Sequence, residues 1–308
     1  MTPSKERGAA LIIVLGLVAL IGTWASTAAY EDMISLRRAE NMQDAMRGLQ
    51  GSQSVLALSV KALRQDALDS TTDDLEEQWA QMAPPFPIDQ GLVSGVIVDS
   101  NRFLNLNDLV NAQGVLQVAV LTRLQALFVR LELDPGLVAV LADWMDGDDL
   151  PIGASGAEDS AYYDQPYRVK NGRLQRWQEL AMLKGFDAKV IKKLSEVATV
   201  RVVPQGGSTP VNINTASAMV LQTLFPDMSS SDAEGFMANR PYTDVATAIA
   251  NQPWAAANSG VNLSVTSNMF KLRSEARFGR AILREEYVLL RMGNKMSLLS
   301  RQRLGWMD

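Results

Sequence analysis

Seven carboxylates, those of Asp143, Asp146, Asp148, Asp149, Glu158, Asp159 and Asp164, fall within 22 residues of one another, threaded by Gly147, Gly153 and Gly156. Groups of one sign at that density repel unless water solvates them or a cation bridges them, and calcium takes about 6–8 oxygens of this kind. The spacing is not that of an EF-hand: counting from Asp146, the fifth and twelfth positions, where ligands are required, hold Leu150 and Ala157. On composition alone, a solvated acidic loop accounts for the cluster better than a bound ion does. The chain contains neither cysteine nor histidine. That excludes disulfides and thiolate metal sites, and it removes the commonest general base and transition-metal ligand. Any bound metal is therefore a hard cation held by oxygens. Gly153-Ala154-Ser155-Gly156-Ala157 imitates a nucleophile elbow but lacks the final glycine, and no base is evident beside it. The acidic cluster could imitate a glycosidase pair, but with nothing further to support catalysis the chain reads as non-catalytic.

Those residues need a framework. At 308 residues, 47% hydrophobic and 20% charged, the chain has the balance of a globular protein and is long enough for two modest domains or one with a large insertion. A formal net charge of -5 argues against nucleic acid as the main partner, because phosphate binding needs a basic surface. Residues 9–29 carry no charge, and at ~1.5 Å per residue they suffice to cross a bilayer as a helix. Lys5 and Arg7 in front of that run place its start in the cytoplasm and send the remainder outward. Beyond Tyr30, apolar residues recur at helical spacing at Leu49, Leu56, Val60, Leu63 and Ala67, with Gly48 and Gly51 as soft spots. This predicts one nearly continuous helix over residues 9–68, although an anchor followed by a stalk or coiled coil fits the same spacing. Pro84, Pro85 and Pro87 mark a loop, and strands are predicted over 91–98, 268–277 and 281–292, the last two joined around Gly279. About 170 residues of mainly helical character, one domain's worth, separate the first strand from the other two.

The front of the chain, KERG followed by AALIIVLGLVAL, resembles the leader of type IV pilins and pseudopilins. The resemblance implies that a prepilin peptidase cuts after Gly8 and methylates the new N-terminus at Ala9, leaving the apolar helix as anchor and assembly element. A secretory signal cut near the small residues Ala25, Ser26, Thr27, Ala28 and Ala29 is the competing reading. Most pilin-like proteins carry glutamate at the fifth mature position, where it meets the amine of a neighbour; here that position is Ile13. A buried carboxylate without a partner amine is costly, so Ile13 suits a subunit with nothing above it, and equally a plain membrane anchor.

After Asp99 the chain carries, in order, Arg102-Phe103 with Asn105-Leu106-Asn107, Asp143-Trp144-Met145-Asp146 with Asp148, Gly156-Ala157-Glu158-Asp159 with Tyr162, Pro166-Tyr167-Arg168 with Asn171, Glu179-Leu180, and Val211-Asn212-Ile213-Asn214-Thr215-Ala216-Ser217. In this ordered set it resembles one family, the large minor pseudopilin of type II secretion called GspK. The chain departs from the family in its alanine at the first mature position and a short stretch between Tyr162 and Pro166. The implied fold is α+β, a long N-terminal helix packed on a small antiparallel sheet with a large, mainly helical insertion. Its parts are a leader (1–8), a transmembrane segment (9–30), a pilin core (31–107 and 263–308) and the insertion (108–262). The implied role is at the tip of the pseudopilus, initiating or capping the filament that drives export of folded periplasmic proteins. The implied location is the inner membrane, with one span and the C-terminal part in the periplasm. The implied partners are other minor pseudopilins, the major pseudopilin, the inner-membrane secretion platform and prepilin peptidase, with no nucleic acid. The resemblance also implies structural calcium in the acidic loop, held by Asp146, Asp148, Glu158, Asp159 and Asp164.

VNINTASAMVLQTLF, SSSDAEGFMANR and Tyr242-Thr243-Asp244 resemble a helix-hairpin-helix module. Its DNA-binding versions present a Gly-apolar-Gly turn to phosphate. Here that turn is Pro226-Asp227-Met228-Ser229-Ser230, and the nearby basic residue is Arg240. The expectation is a scaffold without its phosphate site, with Asn212 and Asn214 bonding local backbone and capping a helix that starts near Ala216. A membrane-tethered DNA-uptake protein and a minor pilin of another filament machine stand as alternatives.

Overall fold

In a computed structural model the chain is described over residues 4–202, 208–255 and 261–305, with side chains from residue 9 onward. Residues 1–3 of the expected leader lie outside them. Helix α1 (Ser4–Asp69) runs unbroken for 66 residues. Early in it, Leu11, Ile12, Leu15, Val18, Ile21 and Trp24 are each more than half exposed. Leaving apolar area in water costs about 25 cal/mol per Å². Ala9–Asp69 is, among the described residues, the one helix long and apolar enough to cross a bilayer. Further along, Gly51, Ser52, Val55, Ser59 and Leu63 are buried, the i, i+4, i+8 face of an amphipathic helix.

After the helix come β1 (Phe86–Ile88) and β2 (Gly91–Asp99). The chain then passes through β3 (Leu104–Asn105), α2 (Val118–Arg130), α3 (Leu137–Met145), α4 (Ala188–Ser195), β4 (Ala198–Thr199), β5 (Val211–Asn212), α5 (Ala218–Leu224), α6 (Ser230–Ala238), α7 (Val245–Ile249) and β6 (Leu263–Ser264). It ends in β7 (Met269–Phe278), β8 (Ala281–Met292) and β9 (Lys295–Arg303). The main sheet has the order β1-β2-β7-β8-β9 and is antiparallel throughout. Alternate residues of β7, namely Phe270, Leu272, Ser274, Ala276 and Phe278, are buried on the face that α1 covers, the period-2 pattern of a half-buried strand. This is the predicted α+β architecture. Strand β9 was not predicted: apart from Met296 and the exposed Leu298 and Leu299 its side chains are polar, as edge strands tolerate.

Strands β2 and β7 are neighbours, with Asp99 opposite Phe270, so the insertion leaves and re-enters the sheet at one point. Residues Leu104–Asn105, on the core side of the expected boundary at 107, pair with Ala198–Thr199 of the insertion. The junction lies at the C-terminal end of α1, where Arg291 of β8 donates to Asp66 Oδ2 at 2.9 Å and pairs with Asp73. Asp73 also accepts from the Ser267 amide at 2.7 Å. The apolar part of α1, long enough to cross a bilayer, is at its other end, so the insertion sits on the side of the sheet away from it.

The insertion has its own core, in which Leu127, Phe128, Leu141, Ile213 and Phe225 are fully buried and which Leu106, just before the insertion, joins. Helix α2 begins at Val118, just after Val110 bridges Leu116 and the Gln117 amide donates to Leu109 O at 2.8 Å. The expected capping by Asn212 and Asn214 is corrected: Ser217 caps α5, its side chain accepting from the Val220 amide. Asn212 Oδ1 does accept from a local amide, that of Asn214 at 2.9 Å, but its Nδ2 donates to Asp73 O and Ser267 Oγ. Asn214 clamps Tyr242 through both backbone groups, at 2.8 and 2.9 Å. The two asparagines therefore tie distant segments together.

Candidate metal centre

Helix α3 delivers the first ligands. Every residue from Val138 to Met145 is buried, so the helix is fixed on all sides and its C-cap, Asp146, emerges in a defined place. The Asp146 amide closes the last turn on Ala142 O at 2.8 Å. Behind it, the Trp144 ring meets Tyr162 at 5.7 Å and Tyr167 at 6.1 Å between centroids, in edge-on contacts. The loop that follows returns to the helix end, so that Asp146, Asp148 and Glu158 each offer a carboxylate oxygen within 4.8 Å of the others.

Asp146 is 4% exposed and Glu158 7%, yet Asp146 Oδ1 and Glu158 Oε1 are buried with no hydrogen-bond partner. A buried acceptor left unpaired costs about 1–3 kcal/mol, and more when charged. Burial, reinforced by Asp148 and Asp143, pushes Asp146 up to about 6. Burial, reinforced by Asp143, Asp146, Asp149 and Asp148, pushes Glu158 up to about 7. Orphaned oxygens, convergent carboxylates and suppressed ionisation are what a hard cation relieves, so Asp146, Asp148 and Glu158 fit the calcium that the resemblance implies. Bound there, the ion would offset two of the three negative charges and crosslink the helix end to the returning loop.

The remaining expected ligands are placed differently. Asp159 Oδ1 accepts from the Val169 amide at 2.9 Å, and its other oxygen lies 3.8 Å from Arg168. Asp164 is exposed and stands outside the three-carboxylate group. A second acidic group, Asp66, Asp73 and Glu77, was not foreseen. It already has a cation, since Arg291 pairs with both aspartates, and Glu77 accepts from Trp79 Nε1 at 2.7 Å. No local signal announces it, because Arg291 is 225 residues from Asp66.

In the helix-hairpin-helix-like part, the turn between α5 and α6 is closed by a capping box between Ser229 and Asp232. Arg240 points inward, donating to Ala216 O at 2.7 Å. The basic group expected nearest to a phosphate is thus engaged within the fold.

Two family models, both described as Type II secretion system (T2SS), protein K, match residues 102–204 and 211–266, together just over half of the chain. The chain belongs to the type II secretion system protein K family. Type II secretion system protein K of Pseudomonas aeruginosa is 31% identical over 295 residues, covering 89% of this chain and 85% of that protein. Its counterpart from Pectobacterium carotovorum is 28% identical over 325 residues, covering 98% of each. A chain of the crystal structure of the GspK-GspI-GspJ complex from the enterotoxigenic Escherichia coli type 2 secretion system superposes with a TM-score of 0.74 at 27% identity, covering 87% of this chain and 99% of that one. Membership of the protein K family makes this chain a minor pseudopilin of type II secretion, a structural component of the machinery. The family models fall on the insertion, which carries the acidic loop and the asparagine clamps.

Proposed function

We propose that this minor pseudopilin stands at the tip of the pseudopilus, where it initiates or caps the filament that drives export of folded proteins. The observation that carries the reading is the place of the insertion. It leaves the sheet at Asp99 and returns at Met269, on the side of the sheet away from the membrane-spanning end of α1. A domain of that bulk on the membrane-distal side blocks a further subunit from stacking above it, while leaving the helix free to pack below. Ile13, in place of the usual glutamate, suits a subunit with no neighbour's amine to meet.

In this reading a prepilin peptidase removes the leader after Gly8 and methylates Ala9. Helix α1 is then held in the inner membrane with the remainder in the periplasm. The subunit catalyses nothing. Other minor pseudopilins pack against the exposed part of α1, in keeping with the complex of GspK, GspI and GspJ formed by its relative. The major pseudopilin and the inner-membrane platform follow below. Calcium held by Asp146, Asp148 and Glu158 fixes the acidic loop, and the two orphaned oxygens support it.

The test is twofold. Full-length protein, co-expressed with the smaller minor pseudopilins of the same organism, is expected to co-purify with them as a defined complex. Its N-terminal mass is expected to be that of methylated Ala9 only when prepilin peptidase is present. A chain that binds no pseudopilin ends the tip reading, and an intact Met1 or a cut near Ala29 ends the pilin-like processing.

A further inference from the structure

Asp143 lies one helical turn before Asp146 and is completely buried, yet it is no member of the three-carboxylate group. Its oxygens are engaged elsewhere. Oδ1 accepts from the Ile152 amide at 3.0 Å and Oδ2 from the Ala157 amide at 2.6 Å. Ala157 is the residue immediately before Glu158, so the second bond fixes the backbone from which that ligand projects. A single carboxylate at the end of a rigid helix thus holds both the outgoing and the returning limb of the loop, by contacts that do not pass through a cation.

Gly156 shows how tightly the clasp is closed. A Cβ at this position would overlap Asp143 Oδ2, lie 2.5 Å from Ile152 N and 3.0 Å from Pro151 C. Two of these three atoms are backbone and cannot rotate away. By contrast, a Cβ on Gly147, in the same loop, would meet nothing within 4 Å.

We infer that Asp143 is the positioning residue of the cation site: by clasping the amides of Ile152 and Ala157 it brings Glu158 against Asp146 and Asp148 before any ion arrives, and Gly156 is the residue the clasp requires. The inference rests on the calcium reading of those three carboxylates. Ligands held by a buried, hydrogen-bonded support lose less freedom on binding, which is where a site gains affinity.

Gly156→Ala is the decisive variant because it opens the clasp without changing any charge, whereas replacing Asp143 itself would also weaken calcium binding through electrostatics. The full chain in detergent is titrated with calcium by calorimetry, as wild type, Gly156→Ala and Gly147→Ala. Amide hydrogen exchange at Ile152 and Ala157 is followed in parallel with a chelator present. The expected result is protection of both amides in chelated wild type and its loss in Gly156→Ala. Calcium affinity should fall at least tenfold in that variant and change less than twofold in Gly147→Ala. A merely structural role for the glycine would reduce the folded fraction but leave the affinity of the folded chain unchanged. Free exchange at both amides in chelated wild type, or wild-type affinity in Gly156→Ala, overturns the inference. A wild-type chain that binds no calcium, with its amides protected, overturns the cation reading and with it the positioning role, and exchange and titration together tell the two failures apart.

Discussion

Thr215 Oγ1 donates to Asp99 Oδ2 at 2.5 Å, joining the last residue of β2 to the insertion across 116 residues of chain. The same carboxylate accepts from Ser267 Oγ at 2.7 Å, from Asn212 Nδ2 at 3.4 Å and from the Asn101 amide at 2.7 Å. Asp99 is 1% exposed, and burial raises its pKa against the pull of these donors. It gathers the departing strand, the returning strand and the asparagine-rich segment of the insertion at one point. Asp99→Ala leaves those donors buried without an acceptor. The expected cost is about 3–5 kcal/mol, the range for removing one side of a buried charged network. Asp99→Asn, which keeps the shape and one acceptor, should cost less. Urea unfolding of both variants checks the order, and a harmless Asp99→Ala would show that the junction does not depend on this network.

The neighbouring group gives a pH dependence. Burial, then the charges of Glu77 and Asp73, push Asp66 up to about 7 despite its bond to Arg291. A carboxyl whose folded pKa is raised favours the folded chain when protonated. That contribution is fully present below the unfolded value of about 3.9 and is lost as pH rises through about 7. Asp66→Asn removes the titrating group, so the fall in stability between pH 5 and 8 should become shallower than in wild type. Denaturant midpoints across that range decide it, and parallel profiles for the two proteins would contradict the assignment. Arg291→Met should be far more damaging, because Asp66 and Asp73 then lose their cation.

What could be read from the sequence was what repeats or clusters locally. The apolar run and helical spacing announced α1, strand-like runs with a turn around Gly279 announced β2, β7 and β8, and acidic density announced the loop around Asp146. What escaped depends on distance in the chain or on a broken pattern. Arg291 with Asp66 and Asp73, or Asp99 with Thr215, become neighbours only through the fold. Strand β9 has too few apolar residues to betray itself. Asp143 was visible as one acid among seven, but nothing in its spacing separated a buried clasp from a surface charge or a ligand. Asn212 and Asn214 looked like local caps because that is the common use of asparagine before a helix, whereas here they bridge.

Two glycines on α1 should respond in opposite directions to the same change. A Cβ at Gly51 would sit 2.8 Å from Val93 Cγ1 and 3.2 Å from Phe278 Cε2, where the helix lies close against the sheet. At Gly48 the nearest atom would be Leu283 Cβ at 3.6 Å, an ordinary contact. Alanine gains about 1 kcal/mol over glycine within a helix, and overpacking costs about 1–3 kcal/mol. Gly48→Ala is therefore expected to stabilise by up to about 1 kcal/mol, while Gly51→Ala is expected to give a net loss of about 1 kcal/mol. Thermal unfolding of the pair checks it, and equal gains at both positions would mean that the helix does not depend on its close approach at Gly51.

Calcium binding should depend on pH through the same groups that would hold the ion. In the ion-free chain, burial and mutual repulsion push Asp146 up to about 6 and Glu158 up to about 7. Their raised values favour the folded ion-free chain below about pH 4, where they are protonated in both states, and that advantage is lost as pH rises through about 6 and then 7. Calcium needs the ionised forms, so its affinity should climb steeply from pH 5.5 to pH 7.5 and then level off. Binding at pH 6.5 should release protons, measurable as a dependence of the calorimetric enthalpy on the ionisation enthalpy of the buffer. The stabilisation conferred by calcium should accordingly be larger at pH 7.5 than at pH 5.5, since at the higher pH the ion relieves repulsion that protonation no longer does. Glu158→Gln removes the group with the higher value, and should both weaken binding and flatten its pH profile above pH 6. A profile that is flat in the wild type between pH 5.5 and 7.5, with binding intact, would place the ion on other ligands.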